Sequence, residues 1–180
     1  MTGRDTVSRY LYRAFAVMVG LILVTGVVAT TAAVEQFRVV AALTAQVMPE
    51  RLANAEVRAA LNEAQRGIRG YLLTGDPTLD TVYANARHDF TIAAADLRRL
   101  APPADRAAVA LQVDQAGAWL RVADDHRRRP LDGDRGLAFA RQARPLFDQF
   151  LASNAGLERD LADRSDDLRR RTRRTEALAV

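Results

Sequence analysis

The pattern of apolar and charged positions divides the chain into an uncharged run near the start and a longer body punctuated by charges. The run covers residues 14–34, which are twenty-one positions without Asp, Glu or Arg. A helix rises about 1.5 Å per residue, so this run spans roughly the 30 Å hydrocarbon core of a bilayer. It therefore predicts a transmembrane helix. The alternative is a cleaved signal peptide, whose apolar region is usually only about 7–15 residues long.

The charges on either side of the run predict its orientation. Arg4, Arg9 and Arg13 precede it, whereas Glu35 and Arg38, the nearest charges after it, cancel. Positively charged flanks stay in the cytoplasm, so we expect an inner-membrane chain with its N-terminus inside and its body outside. The predicted divisions are a cytoplasmic basic N-terminus at 1–13, a transmembrane helix at 14–34, an extracytoplasmic helical-bundle domain at 35–170, and the start of a missing second membrane segment or a tail at 171–180.

The body repeats its apolar positions at steps of three and four residues, without a period of two, which indicates an all-α chain. Gly, Pro and Asp residues divide it into four helices. The first ends near Leu73 after an interruption at Pro49, and the others cover about 77–100, 104–127 and 135 onward. Short connections favour an up-down-up-down four-helix bundle, which returns the chain to its starting end. We therefore expect the sequence to be part of a longer protein.

Apolar stripes on the helices should face the core of this bundle. In the third helix the stripe is predicted on Leu111, Ala118 and Val122, with Trp119 beside it. The stripes of the first and second helices comprise Val57, Leu61, Ala64, Ile68 and Tyr71, and then Leu79, Val82, Ala86, Phe90, Ala93, Leu97 and Leu100.

The fourth helix carries a heptad seam, with steps that alternate between three and four residues. Its members are Phe147, Phe150, Asn154, Leu157, Leu161, Arg164 and Leu168. Such a seam predicts that these residues pack either against a second copy of the chain, in a homodimer, or against the other helices of the same bundle. For Asn154 two interpretations stay open: a buried polar group that fixes register, or a side chain turned to the rim.

Composition limits the chemistry of the chain. The absence of cysteine excludes disulfides, thiolate metal sites and cysteine nucleophiles. All 26 basic residues are arginine, yet residues 35–168 hold 18 Arg against 20 Asp plus Glu, and this balanced body does not favour nucleic-acid binding. His88 and His126 are expected to be solvated rather than metal ligands. Without a catalytic or phosphate-binding motif, we expect no enzyme activity, metal or cofactor in this chain.

One segment carries a family resemblance. Residues 61–77 read LNEAQRGIRGYLLTGDP, with Tyr83 soon after. This segment resembles the signature of the type-3 CHASE domain, a sensory extracellular domain associated with cyclases and histidine kinases, and the string from Arg69 to Asp76 is its most recognisable part. The similarity extends over about residues 35–170. In the second half of this range the similarity is weaker, and it rests on Trp119, Pro130, Arg144, Phe147 and Glu158.

The resemblance implies a helical bundle outside the membrane, held between two membrane helices. Such domains feed cytoplasmic histidine kinases, metal-dependent serine phosphatases or nucleotide cyclases. This sequence differs because it contains neither a second membrane helix nor an output domain. The resemblance therefore implies the sensor part of a receptor and leaves its output open.

The signature segment also has a structural interpretation from its residue types alone. Gly67 and Gly70 would allow a neighbouring helix to approach closely, and the residues that follow would fill the end of the bundle and form a turn. We favour this structural role for the motif comprising Arg66, Gly67, Gly70, Tyr71, Leu72, Leu73, Thr74, Gly75 and Asp76. In the alternative, Arg66 and Arg69 would bind an anionic ligand.

Two functions compete at this level. The first is a sensory input module of a membrane receptor, a homodimer that relays a small-molecule or protein stimulus by shifts of its helices. The second is a stand-alone membrane-anchored bundle that binds a protein partner. The two differ in whether an output domain follows the chain.

Overall fold

The computed structural model describes residues 15–27, 30–31, 33–34, 37, 47–129 and 134–178. Within these ranges the chain is helical and contains no strand, so the all-α prediction is confirmed. The chain divides into two compact units, one of Met1–Leu43 with Asp166–Val180 and one of Thr44–Ser165. The predictions for residues 1–13, and for parts of 14–34 and 35–46, concern positions outside the described residues.

In the first unit, residues 15–27 are helical and expose large apolar side chains such as Phe15, Leu21 and Leu23. Thr25 donates its hydroxyl to the Leu21 carbonyl, four residues back along the helix. Within the described residues, no helix combines the length and the apolar character that crossing a membrane requires.

The second unit contains most of four long helices, α1 (Met48–Thr74), α2 (Pro77–Leu100), α3 (Arg106–Arg128) and α4 (Arg135–Leu178). The predicted boundaries differ from these by at most two residues, apart from the start of α1. There the helix begins at Met48 with Pro49 in its first turn, and since residues 38–46 lie outside the described residues, the interruption at Pro49 stays a prediction. Pro is tolerated in the first helical turn because the backbone N–H that it lacks would have no partner there.

Contacts between neighbouring helices run in opposite directions along the two partners. A rise in residue number on one helix is matched by a fall on the next, which is the mark of antiparallel packing. The pairs are Gly67 with Tyr83 and Gly70 with Leu79; Asp80 with Arg127 and Tyr83 with Asp124; Asp105 with Arg164 and Trp119 with Phe147; and Arg51 with Glu158 and Asn54 with Asn154. The second unit is therefore an up-down-up-down four-helix bundle.

Aromatic residues from α3 and α4 fill the middle of the bundle. Trp119 is fully buried, and its ring lies 5.4 Å from that of Phe147 and 6.2 Å from that of Phe139. Aromatic pairs at these distances and tilted angles stabilise a core beyond the area that they bury. The single tryptophan of the chain is thus a reporter for the packing of this unit.

The predicted apolar face of α3 is wrong. Leu111 is 54% exposed, and Ala118 and Val122 are only half-buried. Trp119 lies at the centre of the true inner face, flanked by the buried Gln112 and other residues. The prediction failed because α3 carries apolar residues on more than one face, and the buried stripe, which includes Val109, Val113, Ala116 and Leu120, lies on a different face from Leu111.

Candidate functional site

A layer of three buried amides crosses the core and joins α1, α3 and α4. Asn54, Gln112 and Asn154 are each at most 2% exposed. Asn154 Nδ2 donates to Asn54 Oδ1 at 2.8 Å, and Gln112 Nε2 donates to the same oxygen at 3.1 Å. Asn154 Nδ2 also reaches the Asn54 backbone carbonyl at 3.1 Å. These directional bonds fix the height of α1 relative to α3 and α4, since buried polar groups must keep their partners.

Nearer the start of α1, a buried ionic cluster joins the same three parts of the fold. The Arg164 guanidinium of α4 donates two parallel hydrogen bonds to the Asp105 carboxylate, each 2.8 Å long. Arg164 Nη1 also lies 4.0 Å from Glu50 Oε2 of α1. A two-pronged pair of this kind is stronger and more specific in direction than a single bond. Asp105 precedes α3, so the cluster contacts three separate segments.

Glu50 is the unusual member of this ionic cluster. It is 1% exposed, and among the described residues its Oε1 finds no hydrogen-bond partner. Burial, together with the neighbouring Asp105 carboxylate, raises the pKa of Glu50 to about 7, although Arg164 opposes the shift. The hydrogen bonds from Arg164 hold the pKa of Asp105 below its ordinary value. The cluster therefore contains one fixed ion pair and one carboxyl group poised to change charge near neutral pH.

A third contact extends the connection between α1 and α4. Arg51 Nε donates to Glu158 Oε1 at 2.9 Å, and its Nη2 donates to the same oxygen. Both side chains are about one-third exposed, so this pair contributes less than the buried bonds beside it. From Glu50 to Asn54, the first turns of α1 thus bind α4 through polar contacts at three successive levels.

A second polar network lies between α2 and α3. The Tyr83 hydroxyl donates to Asp124 Oδ1 at 2.7 Å, and Arg127 Nη2 donates to Asp80 Oδ2 at 2.8 Å. The Arg127 guanidinium also lies 5.6 Å from the centre of the Tyr83 ring. Burial and the bond to Asp124 raise the pKa of Tyr83 above its ordinary value. This network holds two neighbouring helices together.

The signature segment lies at the end of α1 and forms the tight approach to α2. Gly67 is buried, and a Cβ atom added to it would lie 2.6 Å from the Tyr83 backbone nitrogen. Gly70 faces only the end of the Leu79 side chain, at 2.7 Å. Gly67 therefore meets backbone, which cannot move aside, whereas Gly70 meets a side chain that can.

The turn after Gly70 follows the expected capping chemistry. Gly75 adopts φ 72°, and its N–H donates to the Tyr71 carbonyl at 2.8 Å. Asp76 then caps α2 by accepting from the Thr78 backbone N–H at 2.8 Å. The Thr74 hydroxyl donates to the Gly70 carbonyl at 2.8 Å, which closes the end of α1. A left-handed glycine and an Asp N-cap are the local signals that end one helix and begin the next.

Other members of the signature are placed less uniformly. Leu72 is buried and Tyr71 is half-buried, but Leu73 is 74% exposed, so the expectation that it fills the end of the bundle is wrong. Arg66 is exposed and pairs with Glu63 on its own helix. Arg69 is also exposed, and it lines a small groove between the end of α1 and the start of α4. The two arginines are thus one turn apart on the surface, and an anionic ligand for them stays a prediction.

Five of the seven heptad residues of α4 lie in the core of the chain itself. Phe147, Phe150, Asn154, Leu157 and Leu161 are each at most 4% exposed. Asn154 is thus a buried polar group and is not turned to the rim of the bundle. Since these side chains already pack within one chain, a homodimer, which stays a prediction, needs another surface.

The two histidines differ in environment. His88 is exposed as expected, whereas His126 is 2% exposed and its Nε2 lies 3.1 Å from Gln142 Oε1. The expectation that His126 is solvated is therefore wrong. Across the described part of the chain, no three His, Asp or Glu residues are placed to hold a metal ion.

Sequence reasoning missed Glu50, Asn54 and Gln112, although a signal for each of them was present in the sequence. The apolar stripe of α1 that begins at Val57 continues backward by steps of three and four to Asn54 and Glu50. A polar residue at a stripe position indicates a buried polar contact, because the helix cannot turn it to solvent without exposing its apolar neighbours. Gln112 lies in the same way on a stripe of α3 that includes Val109, Ala116 and Trp119, but the predicted face of α3 passed this stripe over.

Comparison with known proteins agrees with the signature segment. The model of the CHASE3 domain family matches residues 40–170, which include the signature, the buried amide layer and the ionic cluster. No curated protein and no solved structure matches the chain significantly. The matched span covers more than half of the 180 residues. CHASE3 domains are sensory domains of signalling receptors, and this chain belongs to the CHASE3 family.

Proposed function

We propose that this chain is the extracytoplasmic signal-input module of a membrane receptor, anchored by residues 14–34 and without catalytic activity of its own. Its membership of a family of sensory domains carries the proposal. The output would be a histidine kinase, phosphatase or cyclase domain in the same receptor. The stimulus would be a small molecule or a protein that binds the bundle.

The chemistry of the apolar run supports an anchor in the inner membrane. Its side chains include exposed Phe, Leu, Ile and Val residues, which lipid would solvate better than water. The hydroxyls of Thr25 and Thr30 donate to carbonyls four residues back on the same helix, at 2.6 and 2.8 Å. Polar groups satisfied within their own helix carry little cost in a bilayer. The arginines before the run favour a cytoplasmic N-terminus.

The polar contacts between α1 and α4 suggest how a stimulus would be relayed. In sequence, α1 is the helix that follows the proposed anchor. A piston, rotation or scissor movement of α1 against α4 would have to exchange the amide bonds of Asn54 and the ionic contacts of Glu50 together. Directional buried contacts favour two discrete packings over a continuous series, and a stimulus acts by binding one packing more tightly than the other.

Cysteine labelling in intact cells tests the proposed location, because the natural chain contains no cysteine. Ala95 is exposed on α2, so Ala95→Cys should react with a maleimide that does not cross membranes. Ser8→Cys, which precedes the apolar run, should react only after the cells are permeabilised. Labelling of Ser8→Cys alone in intact cells would reverse the orientation, and labelling of neither variant would place the bundle inside the cell.

A further inference from the structure

The outward side of α1 carries a stripe that none of the described residues covers. It consists of Met48, Leu52, Ala55, Ala59 and Asn62, which we call the α1 outer face, and all five are exposed. Leu52 is 62% exposed and Met48 is 39% exposed. The residues follow steps of four and three, as in the contact seam of a two-helix coiled coil. This seam lies opposite the buried stripe of Val57 and Leu61 on the same helix.

The two sides of the α1 outer face carry opposite charge. Towards α4, Arg51 and Arg58 line a groove that also includes Met48 and Leu52. Towards α2, Glu56 and Glu63 line a second groove, together with Asp89 and the 52% exposed Ile92 of α2. A basic edge and an acidic edge thus flank one stripe, and each edge repeats after seven residues.

These charges match one orientation of a second copy of the same helix. With Leu52 and Ala59 at a positions, the arginines occupy g positions and the glutamates e positions. In a parallel pair of helices, a g side chain faces the e side chain five residues further along the other helix, and such pairs set partner choice and orientation. Arg51 would then face Glu56 of the second copy. An antiparallel pair would instead bring like charges together, which is unfavourable.

We propose that a second copy of this chain docks on the α1 outer face, with the two α1 helices parallel and Arg58 of each copy beside Glu63 of the other. The arrangement has two-fold symmetry, so each charge pair occurs twice. The orientation follows from the charges alone. The proposed membrane anchor adds only that both copies would be held in one plane, which raises their effective concentration. The seam covers about two heptads, so we expect a dimer that is weak without that anchor.

The ion pairs within one chain leave room for these contacts. Arg51 binds Glu158 through Nε and Nη2, and a guanidinium retains further N–H donors for a second carboxylate. Glu63 pairs with Arg66 on its own helix, at the exposed surface, where such pairs are weak and easily exchanged. Arg58 is exposed, and no ion pair within the chain competes for it among the described residues.

Disulfide crosslinking in native membranes tests the proposal on the full chain. Leu52→Cys, Ala59→Cys and Asn62→Cys should each form a species of twice the chain mass on oxidation, because parallel helices place each residue beside its own copy. The controls Ala95→Cys and Ala110→Cys, exposed on α2 and α3, should crosslink at least about fivefold less. Crosslinking at only one of the three seam positions would indicate an antiparallel contact and overturn the proposal. A product of any other mass would show a different occupant and overturn it equally.

Charge reversal then tests the register. In the Ala59→Cys background, Arg58→Glu should lower the crosslinked fraction by about fivefold, since two attractive pairs become repulsive. Adding Glu63→Arg should restore most of it. Crosslinking that ignores both changes would overturn the proposed pairing. Because the controls report membrane insertion through maleimide labelling, failure of the dimer and failure of the proposed location give different results.

Discussion

At the scale of single residues, the two glycines of the signature segment have the same chemistry but different surroundings. Gly67 faces the α2 backbone at 2.6 Å from the Tyr83 nitrogen, whereas Gly70 faces the flexible end of Leu79. Only Gly67 is therefore required by the approach of the helices. The family signature contains both residues, so their spacing alone does not show which one the fold depends on.

We expect Gly67→Ala to lower the free energy of unfolding by about 2 kcal/mol, because the added methyl group forces α1 and α2 apart. Gly70→Ala is the matched control. It should change stability by no more than about 1 kcal/mol, since Leu79 can move and alanine favours the helix. Urea unfolding of the full chain in detergent, followed by the fluorescence of Trp119, measures both. Equal losses for the two variants would contradict the close approach at Gly67.

Glu50 predicts a pH dependence of stability. Its folded pKa of about 7 lies above its ordinary value of 4.5, so the folded chain holds this proton more tightly than the unfolded chain. The contribution of Glu50 to stability should therefore be fully present below about pH 4.5, and it should be lost as the pH rises through 7. The loss is of the order of 3 kcal/mol. Glu50→Gln should remove it.

Urea midpoints between pH 5 and pH 8 measure this dependence. Asp114→Asn, which changes an exposed carboxyl on α3, is the control and should keep the slope of the natural chain. Asp105, whose pKa is lowered by Arg164, acts in the opposite direction but only at acid pH, so it does not mask the effect. A Glu50→Gln chain with an unchanged slope would show that Glu50 does not titrate in this range.

At the scale of elements, three helices depend on one layer of amides. Asn154→Leu alone should lower stability by about 1–2 kcal/mol, because it leaves the buried Asn54 and Gln112 with fewer partners. Replacing Asn54, Gln112 and Asn154 together by leucine removes every polar group of the layer. We expect this triple variant to be at least as stable as the natural chain and to hold one packing, so that a receptor containing it no longer responds.

Urea unfolding tests the stability of these variants, and output activity of a receptor carrying them tests the response. A triple variant less stable than Asn154→Leu would contradict the role of the layer. A triple variant that is stable but still responds would show that the movement of α1 does not pass through these amides.

The helix ends were predictable from sequence, but one helix face was not. Gly75, Asp76 and Pro77 act through local backbone geometry, so the end of α1 and the start of α2 could be placed within a residue or two. The inner face of α3 depends on which of several alanine-rich faces meets the other helices. The stripe through Leu111 and Val122 competes with the buried stripe through Val113 and Leu120, and apolar periodicity alone does not choose between them. The ion pair between Asp105 and Arg164 joins residues 59 positions apart, which no local pattern reveals.

At the scale of the whole molecule, charge and apolar character are divided along the chain. The body from 35 to 168 is nearly neutral, and the arginine excess lies before the apolar run and after residue 168. Basic residues beside an apolar segment favour contact with anionic lipid head groups. The distribution therefore favours membrane contact by the basic segments over membrane contact by the nearly neutral body.

This division predicts how the chain partitions. The full chain should stay in the membrane pellet after an alkaline carbonate wash, as an inserted helix does. Leu21→Arg with Val24→Arg places two charges in the middle of the run, each costing about 3 kcal/mol in a bilayer. The retained fraction should fall at least about tenfold. Leu111→Arg with Leu137→Arg, at exposed positions of α3 and α4, adds the same charge and should leave retention unchanged. If the wash removes the natural chain, or if both double variants are retained alike, residues 14–34 do not anchor the bundle. If the wash removes only the Leu21→Arg, Val24→Arg variant, membrane attachment depends on that run.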